Sequence, residues 1–187
     1  MSDTHILVER PEAQPGVMVI RFNRPEKKNA ITSAMYNRMT AALEEANRDD
    51  AVRAVAFLGT DGCFSAGNDM GDFLAYAMSG SEDAPAAAVF IKALALAEKP
   101  LVSGVDGLAI GIGTTMLFHC DLVYAGDNAA FSMPFVNLGL CPEAASSLLV
   151  PQMLGYHRAA EALLLGCLLY TSPSPRDLST SRMPSSA

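Results

Sequence analysis

The chain has 187 residues, half of them apolar, and a formal net charge of −7. This length and composition suit a single domain with a sizeable core. The negative charge, without any cluster of lysine and arginine, argues against a nucleic-acid-binding surface, although helix N-termini and a few local cations can still hold an anionic nucleotide. No apolar run reaches membrane-spanning length, because the longest candidate, around residues 101–117, is broken by Asp106 and four glycines.

Strand and helix patterns alternate along the chain. Apolar and β-branched residues at 5–8 and 17–22 predict an initial hairpin, and Thr32 or Ser33 is placed to cap a helix that runs to about residue 47. Further strands are predicted at 52–58, 101–105 and 122–125, and further helices after Asn68 and at 85–97, 111–118, 146–153 and 156–165. This alternation predicts an α/β fold with parallel strands and right-handed crossovers.

The cysteines indicate a reducing compartment. Cys63, Cys120, Cys141 and Cys167 are far apart, form no C-x-x-C pair and have no histidine at ligand spacing, so no metal site is expected. The N-terminal residues lack the cationic and then apolar pattern of a secretory signal. We therefore expect reduced thiols and a cytoplasmic protein.

The last segment differs in composition from the rest. Between Thr171 and Ala187, 11 of 17 residues are serine, threonine or proline, which predicts a disordered tail. A sharper interpretation is that the chain from about Cys167 onward is not native, since residues 168–177 resemble translated adapter sequence. We therefore divide the chain into a core at 5–166 and a tail at 167–187. The tail is expected to lack packed contacts, and the uncovered apolar helices before it are expected to cause aggregation.

One carboxylate stands out in the second half of the chain. Between Asp127 and Arg158, Glu143 is the only side chain ionised at neutral pH apart from His157 at the margin. Burial in this apolar segment would raise its pKa toward that of a proton-transfer base. Glycine-rich turns at 62–69 and 107–113 precede it and can expose backbone N–H groups to an anionic oxygen, which indicates enolate chemistry. Alternatively, Glu143 caps a helix beginning near Ala145, which would lower its pKa.

Four motifs, in order, resemble those of the crotonase superfamily, also called the enoyl-CoA hydratase/isomerase family. They lie at residues 22–30, 64–70, 105–113 and 120–125, and the resemblance covers about residues 5–166. It implies a β-β-α spiral, the ClpP/crotonase fold, in a protein that assembles as a homotrimer or hexamer. Family members continue into helices that cover the acyl pocket, and this C-terminal helical subdomain is missing here.

The same resemblance implies the residues of the site. The backbone N–H groups of Ala66 and Ile112 would hold the thioester oxygen, and Glu143 would be the catalytic base. The substrate is an acyl-CoA, with coenzyme A as part of it, and no cofactor or metal is held permanently. The residues expected to bind the CoA ester are Arg24, Lys27, Ala30, Ser65, Gly67, Asn68, Asp69, Met70, Gly111 and Phe135.

Two positions that differ from the hydratases of the family, and one segment that matches its isomerases, limit the reactions that the resemblance implies. Hydratases of the family carry water-activating glutamates where this chain has Thr115 and Phe135, so water addition is disfavoured. The segment at 142–147 is similar to the Pro-Glu-x-x-Ser-Ser of monofunctional Δ3,Δ2-enoyl-CoA isomerases, in which the glutamate moves a proton from C2 to C4. Two alternatives stay open: another crotonase-type enzyme, such as a hydratase, hydrolase or lyase, and a non-catalytic acyl-CoA-binding protein.

Other polar residues have simpler interpretations. His119 and Asp121 invite comparison with a hydrolytic triad that would include Ser65, but no nucleophile elbow is present, so His119 is interpreted as a core or subunit-contact histidine. Asp69 and Asp72 flank a predicted helix start and are interpreted mainly as capping or solvated residues.

Overall fold

A computed structural model describes residues 4–81 and 83–170, in which strands and helices alternate as the sequence predicts. The strands are β1 (Ile6–Glu9), β2 (Val17–Phe22), β3 (Ala54–Leu58), β4 (Cys63–Ser65), β5 (Leu101–Val105), β6 (Leu108–Ile110), β7 (Leu122–Ala125), β8 (Ala130–Ser132) and β9 (Leu169–Tyr170). The helices are α1 (Ser33–Arg48), α2 (Met70–Met78), α3 (Ala86–Ala95), α4 (Ile112–Thr115), α5 (Ser146–Leu154) and α6 (Tyr156–Leu164), with short 3₁₀ turns at Pro25–Lys27, Met116–His119 and Val136–Leu138.

The strands form two sheets. The larger has the order β1-β2-β3-β5-β7, and the smaller has the order β4-β6-β8-β9. All pairs are parallel except β1 with β2 and β8 with β9. After the β1–β2 hairpin, which lies in the larger sheet, each of the pairs β3–β4, β5–β6 and β7–β8 places its first strand in the larger sheet and its second in the smaller before helical structure follows. This repeat is the expected β-β-α spiral, and the fold prediction is confirmed.

Two apolar clusters hold these layers. In the first, α1 and α3 pack against the larger sheet, and the buried Phe90 ring meets Phe57 at 6.4 Å and Tyr36 at 5.5 Å between centroids. The second, smaller cluster lies beneath α5 and α6 and includes Met133, Phe135 and Val150. The segment after β8 contributes to both clusters, with Met133 and Phe135 in the second and Ala144 in the first.

Some boundaries differ from the prediction. The strands β4 and β8 have three residues each, too few for a periodic pattern, and neither was predicted as a strand. The helix expected at 111–118 is instead a four-residue α4 followed by a 3₁₀ turn. Strand β7 is found where predicted, but it is exposed throughout. Thr32 caps α1 as expected, because its hydroxyl accepts the Met35 N–H at 3.4 Å.

Residues 167–170 make contacts that the tail was expected to lack. Strand β9 pairs with β8, with Leu169 opposite Phe131, and the Cys167 N–H donates to the Glu161 carbonyl at 3.1 Å. Leu169 also packs against the second cluster. Residues 171–187, to which the rest of this prediction applies, lie outside the described residues. Across the described ranges, no helix is both long and apolar enough to cross a bilayer, and no group of three or more metal-ligating side chains is found.

Candidate active site

The first glycine-rich turn is aligned against the segment that contains residues 28–31. The Ala66 N–H donates to the Lys28 carbonyl at 2.9 Å, and the Ile31 N–H donates to the Gly67 carbonyl at 2.8 Å. The Asp69 N–H then donates to the Ile31 carbonyl at 2.9 Å. Residues 66–69 are therefore held as a short extended segment, paired in parallel with its neighbour.

This pairing corrects the predicted oxyanion donor. The Ala66 N–H is already used, so it is not available to a ligand. The Gly67 carbonyl points toward Ile31, and in a trans peptide the next N–H, that of Asn68, points the opposite way. Within residues 4–81 and 83–170 the Asn68 N–H meets no acceptor. The available donor in this turn is therefore Asn68, two residues beyond the predicted position.

The second turn presents the donor that was predicted. Gly111 has a φ of +57°, and its N–H donates to the Ser132 carbonyl at 2.8 Å. Ile112 is the first residue of α4, and its N–H has no acceptor among the described residues, whereas the Thr114 and Thr115 N–H groups both donate to the Gly111 carbonyl. Ile112 is buried, so this unused N–H lies inside the protein rather than at its surface.

The two turns touch because glycines face each other. A Cβ at Gly67, where φ is +87°, would lie 2.8 Å from the Ile110 carbonyl oxygen, and a Cβ at Gly113 would lie 3.0 Å from the Ser65 carbonyl oxygen. Any larger side chain would force the turns apart. Asn68 and Ile112 both line one cavity of about 130 Å³ between the turns. The unused backbone N–H groups that follow strands β4 and β6 thus belong to residues that line the same cavity.

That cavity is mainly apolar. Its walls come from both turns, from α2 and from the segment after β8, and its lining residues are Ala66, Gly67, Asn68, Met70, Phe73, Ile110, Gly111, Ile112, Pro134, Phe135, Leu138 and Leu140. Five of the residues predicted to bind the CoA ester are in this set, namely Gly67, Asn68, Met70, Gly111 and Phe135. The space suits an apolar chain whose polar end meets the two backbone donors.

Glu143 has the electrostatics of a base. Burial raises the pKa of its carboxyl from 4.5 to about 7, and Oε1 is buried without a hydrogen-bond partner among the described residues. The alternative capping role is wrong, because α5 begins after Ala145 with no side-chain cap, and a cap would have lowered the pKa. A carboxyl with this pKa exchanges its proton near neutral pH.

The Glu143 turn has an unusual backbone. Ala144 and Ala145 have φ values of +53° and +54°, which L-residues other than asparagine and aspartate rarely adopt. The Glu143 carbonyl accepts the Ser146 N–H at 3.0 Å and the Ser146 hydroxyl at 2.5 Å. The His119 ring Nε2 lies 3.0 Å from the Ala144 carbonyl oxygen. The triad comparison for His119 thus has no support, since the ring serves this turn.

Two observations place Glu143 near the cavity, although it is not among the lining residues. Leu140, three residues earlier, forms part of the wall. Burial and then the carboxylates of Glu143 and Asp72 raise the pKa of Tyr36 well above its usual value, so Glu143 is within electrostatic range of that hydroxyl. The Tyr36 hydroxyl donates to Asn68 Oδ1 at 2.5 Å. Tyr36 therefore connects the electrostatic environment of Glu143 with Asn68, whose N–H faces the cavity.

Three residues predicted to bind the CoA ester are engaged in internal bonds. The Arg24 guanidinium, 13% exposed, donates to Asp69 Oδ2 at 2.7 Å and to the Ala30 carbonyl at 2.8 Å. Arg24 and two backbone N–H groups lower the pKa of Asp69, which also caps α2, as its capping interpretation expected. Ser65 is fully buried and its hydroxyl donates to the Asn29 carbonyl at 2.9 Å. These side chains hold the first turn in place, and Lys27 is exposed.

Asn29 was missed as a site residue. It is fully buried with a φ of +54°, and its side-chain amide donates to Thr60 Oγ1 at 2.9 Å and to the Cys63 carbonyl at 3.0 Å while its Oδ1 accepts the Arg24 N–H at 2.9 Å. It joins the segment before α1 to strand β4. The only signal in the sequence was an asparagine in a motif, a residue type that tolerates left-handed backbone.

Comparisons with known proteins agree with this geometry. The family model described as enoyl-CoA hydratase/isomerase matches residues 12–172. The chain is 43% identical over 158 residues to enoyl-CoA delta isomerase 2 of Rattus norvegicus, a match that covers 82% of this chain and 40% of that protein. It is 35% identical to 4-chlorobenzoyl coenzyme A dehalogenase-2 of an Arthrobacter species, over 87% of this chain and 60% of that protein.

Solved structures give the same result. The structure of Pseudomonas aeruginosa OdaA is 50% identical, with a TM-score of 0.81, over 89% of this chain and 65% of that one. An enoyl-CoA hydratase of Mycobacterium marinum is 33% identical, with a TM-score of 0.80, over 93% of this chain and 86% of that one. The chain thus spans about 40% of the rat relative and about two thirds of the Pseudomonas structure.

Proposed function

Because the chain belongs to the enoyl-CoA hydratase/isomerase family, whose members act on acyl-CoA substrates without a bound cofactor, we propose that it moves the double bond of a 3-enoyl-CoA to position 2. The single observation that carries the proposal is Glu143: one buried carboxyl with a pKa of about 7, beside a cavity with two unused backbone donors. The similarity to enoyl-CoA delta isomerases supports the same reaction. The trimeric or hexameric assembly implied by the family resemblance is part of this proposal.

The reaction needs one base and one anion site. The Glu143 carboxylate removes a proton from C2, and the electron pair of that C–H bond passes to the thioester oxygen as an enolate. The Asn68 and Ile112 N–H groups stabilise this oxygen. The protonated Glu143 then returns the proton to C4 while the enolate electrons restore the carbonyl and leave a C2=C3 double bond. Atoms and charge balance without water or a second reactant.

The surroundings favour proton transfer over hydration. Where hydratases resembling this chain carry glutamates, Thr115 is buried with an unpartnered hydroxyl among the described residues, and Phe135 lines the cavity. Neither side chain can take a proton from water at neutral pH. An apolar wall also limits the water that would compete for the enolate.

Replacement of the base tests this proposal. In the full-length protein, Glu143→Gln should lower kcat for formation of the conjugated 2-enoyl thioester by roughly 10²–10⁴, the usual contribution of a general base, with the affinity for an acyl-CoA nearly unchanged. In the parent, kcat/KM should fall tenfold per pH unit below about pH 7, because only the ionised carboxyl accepts a proton.

The matched control is Glu161→Gln, which neutralises a glutamate on α6 whose side chain is 46% exposed, and it should retain full activity. Full isomerase activity in Glu143→Gln, or efficient hydration of a 2-enoyl-CoA by the parent, would contradict the proposal. Tight CoA-ester binding without any turnover would instead favour an acyl-CoA-binding protein.

A further inference from the structure

In the part of the chain that the structure describes, one side chain hydrogen-bonds the turn that contains Glu143 to a distant element. Among the described residues, the backbone hydrogen bonds of 141–145 all stay within the segment 135–149, with one exception. The exception is the bond between His119 Nε2 and the Ala144 carbonyl at 3.0 Å. A carbonyl oxygen can only accept, so Nε2 carries the proton and donates.

This bond is placed where the backbone needs support. Ala144 and Ala145 both have left-handed φ values, and each such residue costs of the order of 1–2 kcal/mol unless its surroundings hold it. The Ala144 methyl is buried in the first apolar cluster, so the turn is packed as well as bonded. Without the His119 bond, local bonds to Ser146 alone would resist relaxation of the turn.

His119 also lies on the element that begins with an oxyanion donor. Helix α4 starts at Ile112 and continues without a break into the 3₁₀ turn Met116–His119. The donor N–H is at one end of this helical segment and the imidazole is at the other. The segment therefore links Ile112 directly to the residue that follows Glu143.

We propose that His119 is a positioning residue, which fixes the Glu143 carboxyl relative to the Ile112 N–H through the Ala144 carbonyl. The inference rests on the proposed function, in which Glu143 and Ile112 act on the same thioester. Both the neutral Nε2–H tautomer and the imidazolium donate from Nε2, so the bond does not depend on the charge of the ring.

The test compares side chains that can and cannot donate to that carbonyl. In the full-length protein, His119→Leu should lower kcat about 10- to 100-fold with KM changed less than about threefold, because displacement of a catalytic group by about 1 Å has effects of this size. His119→Gln, whose amide can donate to the same oxygen, should retain most of the activity. His157→Leu removes an exposed histidine on α6 and is the matched control.

A second measurement does not depend on activity. In protein labelled with ¹³C at the glutamate carboxyls, the Glu143 resonance, identified by its loss in Glu143→Gln, should titrate near pH 7 in the parent and at least one unit lower in His119→Leu, since a loosened turn admits water. If His119→Leu does not fold, His119→Asn, whose shorter amide cannot reach Ala144, replaces it. An unchanged titration midpoint and an unchanged kcat would overturn the inference. If the parent has no isomerase activity but the titration midpoint of Glu143 still differs between the parent and His119→Leu, the result would support the inference and refute the proposed function.

Discussion

At the scale of single residues, burial of Glu143 makes the stability of the protein depend on pH. Its carboxyl has a pKa of about 7 in the folded protein because burial disfavours the charged form, whereas the unfolded chain keeps a value near 4.5. Between these values the folded state binds a proton that the unfolded state has lost, so stability falls as the pH rises from about 4.5 to about 7. Above pH 7 the protein carries the full cost of a buried, unpartnered charge.

The direction of this pH dependence predicts an effect of Glu143→Gln on stability that is separate from its effect on catalysis. The free energy of unfolding of the variant should equal that of the parent near pH 4 and exceed it by up to about 3 kcal/mol near pH 8, because each pKa unit corresponds to about 1.4 kcal/mol. Denaturant titrations at both pH values measure the difference. A variant less stable than the parent at pH 8 would show that the ionised carboxyl has a partner in the folded protein.

The candidate site was predictable at some residues and not at others. Glu143 could be singled out from local sequence, as one carboxylate in an apolar run, whereas Ile112 was implied by the family resemblance. The donor in the first turn could not be predicted. Whether Ala66 or Asn68 has the unused N–H depends on how that turn pairs with residues 28–31, a contact that is far away along the chain. The internal partners of Arg24 and Ser65 could not be predicted for the same reason, since they are also far away along the chain.

At the scale of elements, the backbone at the start of α5 has a strained conformation that a glycine would adopt without strain. Ala145 is exposed and left-handed, with φ of +54°, and its side chain makes no capping bond. Ala145→Gly should therefore raise the free energy of unfolding by roughly 0.5–1 kcal/mol, because glycine adopts this conformation without steric cost. Thermal and urea unfolding measure the change.

The control for this prediction is Ala41→Gly, at an exposed position inside α1, where the same substitution should lower stability by about 1 kcal/mol. Opposite signs at the two positions are expected from the backbone conformations alone. If Ala145→Gly destabilises the protein as much as Ala41→Gly, the left-handed start of α5 is wrong.

Whether a helix or strand could be predicted from the sequence depended on its length. Helix α1 was found within one residue at its C-terminal end, since Thr32 caps it and sixteen residues carry a clear apolar face. The strands β4 and β8 were not predicted because three residues have no measurable period. They form the smaller sheet only because β6 lies between them, which is a property of the assembled fold.

At the scale of the whole molecule, the larger sheet ends in an apolar strand. Strand β7 is last in the order of that sheet, and Leu122, Val123 and Tyr124 are 54%, 41% and 66% exposed. An exposed edge strand with apolar side chains on both faces can pair with another chain. The chain spans about 40% of its rat relative, and the 187-residue protein presents this edge to solvent.

We therefore expect the 187-residue protein to self-associate through β7. Val123→Lys should shift its light-scattering mass toward that of a monomer, because lysine on an edge strand opposes strand pairing. Met78→Lys, which replaces a residue on α2 that is 85% exposed, is the matched control and should leave the mass unchanged. Equal effects of the two substitutions would indicate general surface hydrophobicity rather than the β7 edge.

The parallel pairing of β4 with β6 has a consequence for how two donors find one atom. Asn68 follows β4 by three residues and Ile112 follows β6 by two, so both N–H groups emerge from adjacent, hydrogen-bonded strands. Neighbouring strands lie about 4.8 Å apart, and two N–H groups about that far apart can each reach a shared oxygen at about 2.9 Å. In the proposed reaction, the separation of the two donors would therefore follow from the distance between neighbouring strands. The fold would then supply the anion site, and the side chain opposite it would select the reaction.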